Sequence, residues 1–307
     1  MKRTVFLLLA FTLTISGCAA PTASPTEAPT LPPATATKET AQPQESTATP
    51  SPELTVTATP KPRWVPQLGS SFQLQFTGDP VNTSIEADIY DLDLFDTDPA
   101  LIQSLHAEGK KVICYISVGS WEDWRPDASD FPSEVIGNDY EGWDGENWLD
   151  IRQIDLLAPI MRARLDLCAA KGFDGVEPDN INLHWNDTGF KISYADQLAY
   201  NLWLAEEAHA RGLSIGMKNN EDQAQDLVTY FDWAITEDCF MGDWCQDMLP
   251  FIEVGKPVFA IEYTDEIGYE DFMNVICEPA ADLQFHAILK NRNLDAYKAT
   301  CPKPDAE

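Results

Sequence analysis

The sequence is poor in positive charge: 20 Lys and Arg stand against 50 Asp and Glu, for a formal net charge of −30. Nucleic acid and anionic lipid surfaces both require a basic face, so neither is expected as a partner. Histidine is scarce too, with four scattered residues and no Cys/His spacing of a zinc site, so no zinc site is expected. Asp91, Asp93, Asp96 and Asp98 lie close together but straddle a strand-like run instead of forming the loop cage that calcium uses. Long apolar runs are absent apart from Val5 to Ile15, which is too short to span a bilayer. From Ala19 to Pro62 aromatic and large aliphatic residues nearly vanish, leaving Thr, Pro, Ser and Ala. Such a stretch cannot bury enough apolar surface to offset its conformational entropy, which excludes a packed domain there.

What is present at the N-terminus has a clear order. Met1-Lys2-Arg3 followed by the apolar run reads as the charged and hydrophobic regions of a signal peptide over residues 1–17. Ile15-Ser16-Gly17-Cys18 resembles a bacterial lipobox, which makes Cys18 the expected lipid anchor; ordinary secretion with Cys18 incidental is the alternative. The expected location is the cell envelope, facing outside the cytoplasm, with membrane contact through the lipid alone. Residues 19–62 then form a proline-stiffened linker, and residues 63–307 the folded domain. Lys2, Arg3, Lys38 and Lys61 balance Glu27, Glu39, Glu45 and Glu53, so the whole acidic excess belongs to that domain. A cationic ligand is the functional reading of the excess, and a solubilising surface the bland one.

An exported chain meets an oxidising compartment. With Cys18 set aside, six of the 7 cysteines remain, and six allow fifteen pairings. Proximity in sequence favours Cys239 with Cys245 and Cys277 with Cys301. Cys114 falls in an apolar strand-like run and Cys168 on a helical one, so both are expected as buried thiols.

Residues 63–307 repeat one pattern of strand-like run, loop and helical run. The runs are Phe72–Phe76, Ile89–Phe95, Lys111–Val118, Phe173–Asp179, Leu213–Lys218, Phe231–Glu237, Pro257–Tyr263 and Leu283–Lys290. Helical patterns such as Ala195–Ala210 and Tyr269–Cys277 separate most of them, although the first connection is too short for a full helix. Alternation implies parallel pairing, and about 245 residues in eight units predict a (β/α)8 TIM barrel. Alternate side chains along a strand face opposite ways. If the more apolar face meets the helices, Asp91, Asp93, Tyr115, Ser117, Glu177, Asp179, Lys218, Glu262 and His286 point inward, and Glu237 joins them beside Trp233 and Ile235. Carboxylates gathered around one lysine are costly to bury unless they meet water, substrate or each other. The barrel mouth is where active sites of this architecture sit; a solvated ion-pair cluster is the alternative.

Cleaving a glycosidic bond takes one carboxylic acid to protonate the leaving oxygen and a second carboxylate to attack or to activate water. Trp121, Trp124, Trp143 and Trp148, in the long segment after the third strand, offer faces for sugar rings; packing of that segment on itself is the alternative. The motifs carry a resemblance. Tyr90-Asp91-Leu92-Asp93-Leu94-Phe95-Asp96, Cys114-Tyr115-Ile116-Ser117-Val118-Gly119-Ser120-Trp121-Glu122 and Trp148-Leu149-Asp150-Ile151-Arg152 come first. Gly172-Phe173-Asp174-Gly175-Val176-Glu177-Pro178-Asp179-Asn180, Met217-Lys218-Asn219 and Thr236-Glu237-Asp238-Cys239-Phe240 follow. Together they resemble glycoside hydrolase family 114, the endo-α-1,4-polygalactosaminidases, from about Trp64 to Tyr263. The resemblance implies a TIM barrel cleaving α-1,4-linked galactosamine polymers without a metal or organic cofactor, with Asp179 and Glu237 as the catalytic pair. Asp179 or Glu177 with Glu262 is the rival pair. Asp93, Tyr115, Trp121, Asp150, Glu177, Asn180, Lys218 and Glu262 are the expected substrate ligands. A binding module without activity, or a hydrolase of another amino-sugar or neutral polymer, stays open at this point.

Overall fold

A computed structural model describes residues 63–302. The signal peptide, Cys18 and the whole linker lie outside the described residues. The strands are β1 (Phe72–Gln75), β2 (Ile89–Asp93), β3 (Lys111–Ser117), β4 (Ser120–Glu122), β5 (Ile136–Asp139) and β6 (Glu146–Leu149). They continue with β7 (Gly175–Asp179), β8 (Ser214–Lys218), β9 (Trp233–Glu237), β10 (Val258–Tyr263), β11 (His286–Lys290) and β12 (Ala299–Thr300). One sheet runs β1-β2-β3-β7-β8-β9-β10-β11-β12, parallel throughout except for the antiparallel β12. Its eight parallel strands are the eight runs read from the sequence, trimmed at their ends.

The sheet curls. Phe72, Ile89, Ile113, Trp233, Ile235, Phe259, Ile261 and Ile288, from strands at both ends and the middle of the sheet, pack on one another over its inner face. The two ends approach: the Phe72 N–H donates to His286 Nε2 at 3.2 Å, and the Phe72 and Phe259 rings stack at 4.6 Å. The opposite face carries Leu92, Cys114, Val176, Ile215, Ala234, Ala260 and Leu289 in a larger core shared with the helices. Burial on both faces explains why these strands read as near-continuous apolar runs.

Local signals set the main helices. Asp98 caps α1 (Pro99–Ala107), accepting from the Ala100 N–H at 2.8 Å, with Pro99 in the first turn. Helix α2 (Ile154–Lys171) ends on Gly172 at φ 98, a left-handed position that glycine takes without strain. Ser193 and Asp196 form a capping box at the start of α3 (Tyr194–Ala210). No full helix joins β1 to β2, as the short connection requires.

Two expectations are corrected. Cys114 and Cys168 are not free thiols but a disulfide that ties β3 to α2, alongside Cys239–Cys245 and Cys277–Cys301. Proximity in sequence had hidden this bond, because its partners are 54 residues apart. The inward set is also wrong at β10. Phe259, Ile261 and Tyr263 face the interior, so Glu262 points outward with Ala260. Large apolar side chains fill the interior here, which reverses the rule that the apolar face meets the helices.

Candidate active site

The C-terminal ends of the parallel strands open into a cleft of about 810 Å³. Three of its polar side chains end strands: Asp179 on β7, Lys218 on β8 and Glu237 on β9. Each is followed by a residue in the left-handed region, Asn180 (φ 61), Asn219 (φ 50) and Asp238 (φ 53). Short polar side chains tolerate that conformation best, and it turns the chain away sharply at the strand end. A close approach matters as well. A Cβ on Gly119 would meet the Asn180 carbonyl at 1.7 Å, so only glycine lets the segment after β3 lie against the end of β7.

Lys218 organises the floor. Its Nζ lies 3.0 Å from Glu177 Oε1, 3.1 Å from Asp179 Oδ1 and 3.2 Å from Glu237 Oε2. Because Asp179 and Glu237 share that nitrogen, these two oxygens are at most about 6.3 Å apart, close enough for both carboxyls to reach one glycosidic bond. Tyr115 donates its hydroxyl to Asp179 Oδ2 at 2.9 Å. Glu237 accepts from the Tyr263 hydroxyl and, at 3.2 Å, from Asn219 Nδ2, while its own N–H donates to Asn219 Oδ1 at 2.8 Å. Burial alone would raise the Glu237 carboxyl, but the Lys218 charge and the bonds from Tyr263 and Asn219 outweigh it and hold the group below its usual range. Both tyrosine hydroxyls are driven well above their ordinary value, by burial and then by the carboxylate each one faces. They therefore act as neutral donors.

Beneath Lys218, Glu177 and Asp91 are fully buried. Burial first, then Glu177, holds Asp91 well above the carboxylate range, and burial raises Glu177 against the pull of Lys218. On the cleft wall Arg125 pairs with Asp93 at 2.7 Å and with Glu122 through two bonds at 2.8 Å. The antiparallel sheet β4-β6-β5 builds that wall, and it carries Trp148 and Glu146. Trp124 and Trp143 stay about half exposed at 50% and 51%.

The sequence-predicted residues thus divide. Asp93, Tyr115, Asp179, Asn180, Lys218 and Glu237 line the cleft, and Glu177 lies directly under it. Trp121, Asp150 and Glu262 do not line it. Trp121 packs within its own segment, donating Nε1–H to the Ala128 carbonyl at 2.9 Å, and Asp150 is taken up by Arg152 through bonds of 2.7 and 2.8 Å. Glu262 accepts the N–H groups of Phe240 (3.0 Å) and Met241 (3.3 Å), and burial pushes its carboxyl up to about 7. It shapes the loop after β9 and stands outside the cleft. Sequence reasoning missed Tyr263, Asn219, Glu146, Tyr140, Arg125 and Arg292 as cleft residues. Asn219 was within reach, since it directly follows Lys218 in a quoted motif. Tyr263 was assigned to the opposite face with the rest of its strand.

Among the described residues no group of three or more His, Cys, Asp or Glu is disposed to hold a metal ion. None of the described helices is long and apolar enough to cross a membrane.

Residues 53–305 match the glycoside-hydrolase family GH114. The crystal structure of Ega3 from Aspergillus fumigatus, in complex with galactosamine, is 36% identical with a TM-score of 0.75, over 80% of this chain and 100% of that one. The glycoside hydrolase domain of PelA from Pseudomonas aeruginosa shares the fold at 16% identity, TM-score 0.62, over 76% of this chain and 99% of that one. No match was found among curated proteins. A cleft built on two strand-end carboxylates, in a chain that matches this family over all its described length, leads to one conclusion: the protein belongs to glycoside hydrolase family GH114 and is a glycoside hydrolase.

Proposed function

We propose that the protein is an endo-acting hydrolase of α-1,4-linked galactosamine polymers, built as a (β/α)8 barrel and using Asp179 and Glu237 as its catalytic pair. The convergence of these two carboxylates on one buried lysine, at the floor of the cleft, carries the reading. One of them protonates the leaving oxygen while the other attacks or activates water. Tyr115, Tyr263, Asn219 and Lys218 hold both in place, so little reorganisation is left for the reaction itself. The galactosamine bound to Ega3 supports an amino-sugar substrate, and the net charge of −30 supports a cationic one. Asp93, Asn180, Trp124 and Trp143 line the route that such a polymer takes.

Incubating the full chain with partly deacetylated α-1,4-galactosaminan should shorten the polymer to oligosaccharides. Asp179→Asn and Glu237→Gln should each lower the rate about a hundred- to ten-thousand-fold. Salt should slow cleavage of the deacetylated polymer more than that of the acetylated one, since exposed charges are screened beyond about 8 Å. A polymer left intact, or equal salt responses, refutes the substrate reading. The same proposal makes Cys18 a lipid anchor holding the enzyme on a cell-envelope membrane, facing outside the cytoplasm, at the end of its linker. Cys18→Ser should move it from the membrane fraction to the soluble one, and retention after a high-salt wash counts against the anchor.

A further inference from the structure

The acids that line the cleft are not equivalent. Asp93 and Glu122 spend their charge on Arg125, and Asp179 and Glu237 spend theirs on Lys218. Asp96 stands exposed at the rim. Glu146 differs from all of them, being only 8% exposed and forming no ion pair within 4.0 Å. Its Oε1 is tied back by neutral donors, the Ser120 hydroxyl and Asn180 Nδ2 at 3.3 Å. Oε2 receives no hydrogen bond from the described residues. A carboxylate this deep and this poorly compensated is costly unless a ligand completes it.

We propose that Glu146 receives the ammonium group of a galactosaminyl unit in the cleft and so selects deacetylated over N-acetylated units. The inference rests on the reading of the cleft as a galactosaminan site and adds the residue that reads the amine. Position favours it. Asn180 follows Asp179 directly in the chain and bonds Ser117 at 3.1 Å, Ser120 at 3.0 Å and Glu146 at 3.3 Å, which fixes Glu146 relative to the proposed catalytic acid. An ammonium beside Oε2 supplies the missing positive charge and a charge-assisted hydrogen bond. An acetamido group supplies neither and is bulkier.

Electrostatics give the arrangement a pH signature. Burial pushes Glu146 up to about 7; the Ser120 bond opposes this, the charges of Asp179 and Glu122 add to it, and Arg125 draws it back. Tyr115 and Tyr140 also face this acid and remain neutral, both raised above their ordinary value by burial and nearby carboxylates. Glu146 therefore ionises as pH rises through about 7, so its hold on an ammonium should strengthen on the acid side and fall again where the amino sugar loses its own proton, giving a binding optimum.

The test is calorimetric binding of an α-1,4-linked galactosamine tetramer and its fully N-acetylated counterpart to full-length Glu237→Gln protein, which cannot consume them. Adding Glu146→Gln should weaken binding of the deacetylated tetramer about tenfold or more, the scale of one lost charge-assisted bond, and lower its preference over the acetylated one by a similar factor. Without Glu146→Gln the affinity should rise towards about pH 7 before the amine of the ligand deprotonates, and with it that rising limb should vanish. Ser120→Ala, which removes the bond that lowers this acid, should shift the rise to higher pH and serves if the Gln variant melts early. Equal weakening of both tetramers, or an unchanged preference, overturns the assignment. Cleavage by the wild-type chain is read separately. Selective binding without cleavage sinks the hydrolase reading and spares Glu146, whereas cleavage with unaltered selectivity does the reverse.

Discussion

Asp91 and Glu177 offer a stability test that needs no substrate. Among the described residues neither oxygen of Asp91 nor Oε2 of Glu177 has a hydrogen-bond donor, and both side chains are fully buried. Two bare carboxylates repel, so the pair holds a proton between them, with Lys218 balancing the charge that remains. An isolated aspartic acid loses its proton near pH 3.9, whereas burial and Glu177 keep that of Asp91 bound far higher. The folded state then binds one more proton than the unfolded chain. Its benefit is complete below about pH 4 and is lost as pH climbs towards the folded value, at about 1.4 kcal/mol per unit. Asp91→Asn carries a permanent N–H donor to Glu177 and no titrating proton. Urea unfolding between pH 5 and 7 should therefore show wild type losing stability relative to Asp91→Asn, by about 1.4 kcal/mol for each pH unit over which the proton stays bound. Glu146 and Glu262, also raised, are common to both proteins and cancel in the difference. Two stability curves that run parallel across this range would show that no proton is held there.

Three further outcomes are expected. Glu262→Gln should keep turnover within about threefold of wild type while Glu237→Gln loses at least about a hundredfold, and the opposite ranking would restore the rival pair. Tyr263→Phe removes a donor that lowers Glu237, so the acidic limb of kcat/KM should move up by about one pH unit, the size of one hydrogen bond; an unmoved limb would place Glu237 outside the profile. Replacing both Cys114 and Cys168 by Ala opens a link spanning 54 residues and should cost about 2–4 kcal/mol in urea unfolding, with a change below about 1 kcal/mol arguing that β3 and α2 hold without it.

The sequence by itself determined the strand set, because eight apolar runs separated by helical patterns admit little but a parallel, helix-covered sheet. It also located Asp179 and Lys218, since on β7 and β8 the period of two sets the more polar face inward and ends on them, and it set Glu237 inward with Trp233 and Ile235, where β9 departs from that rule. Neither the Cys239–Cys245 nor the Cys277–Cys301 bond needed more than short separation. Tertiary structure decided the rest. Which face of β10 looks inward depends on what fills the interior from the other strands, so Glu262 and Tyr263 exchanged places. Cys114 met Cys168 because α2 lies over β3, a contact that no spacing encodes. The wall carrying Glu146 arises from β4, β5 and β6 pairing within a segment whose strands are three or four residues long, below the length at which periodicity can be read. Alternation along a strand is local, but the sense of that alternation and the partners it meets belong to the whole curled sheet.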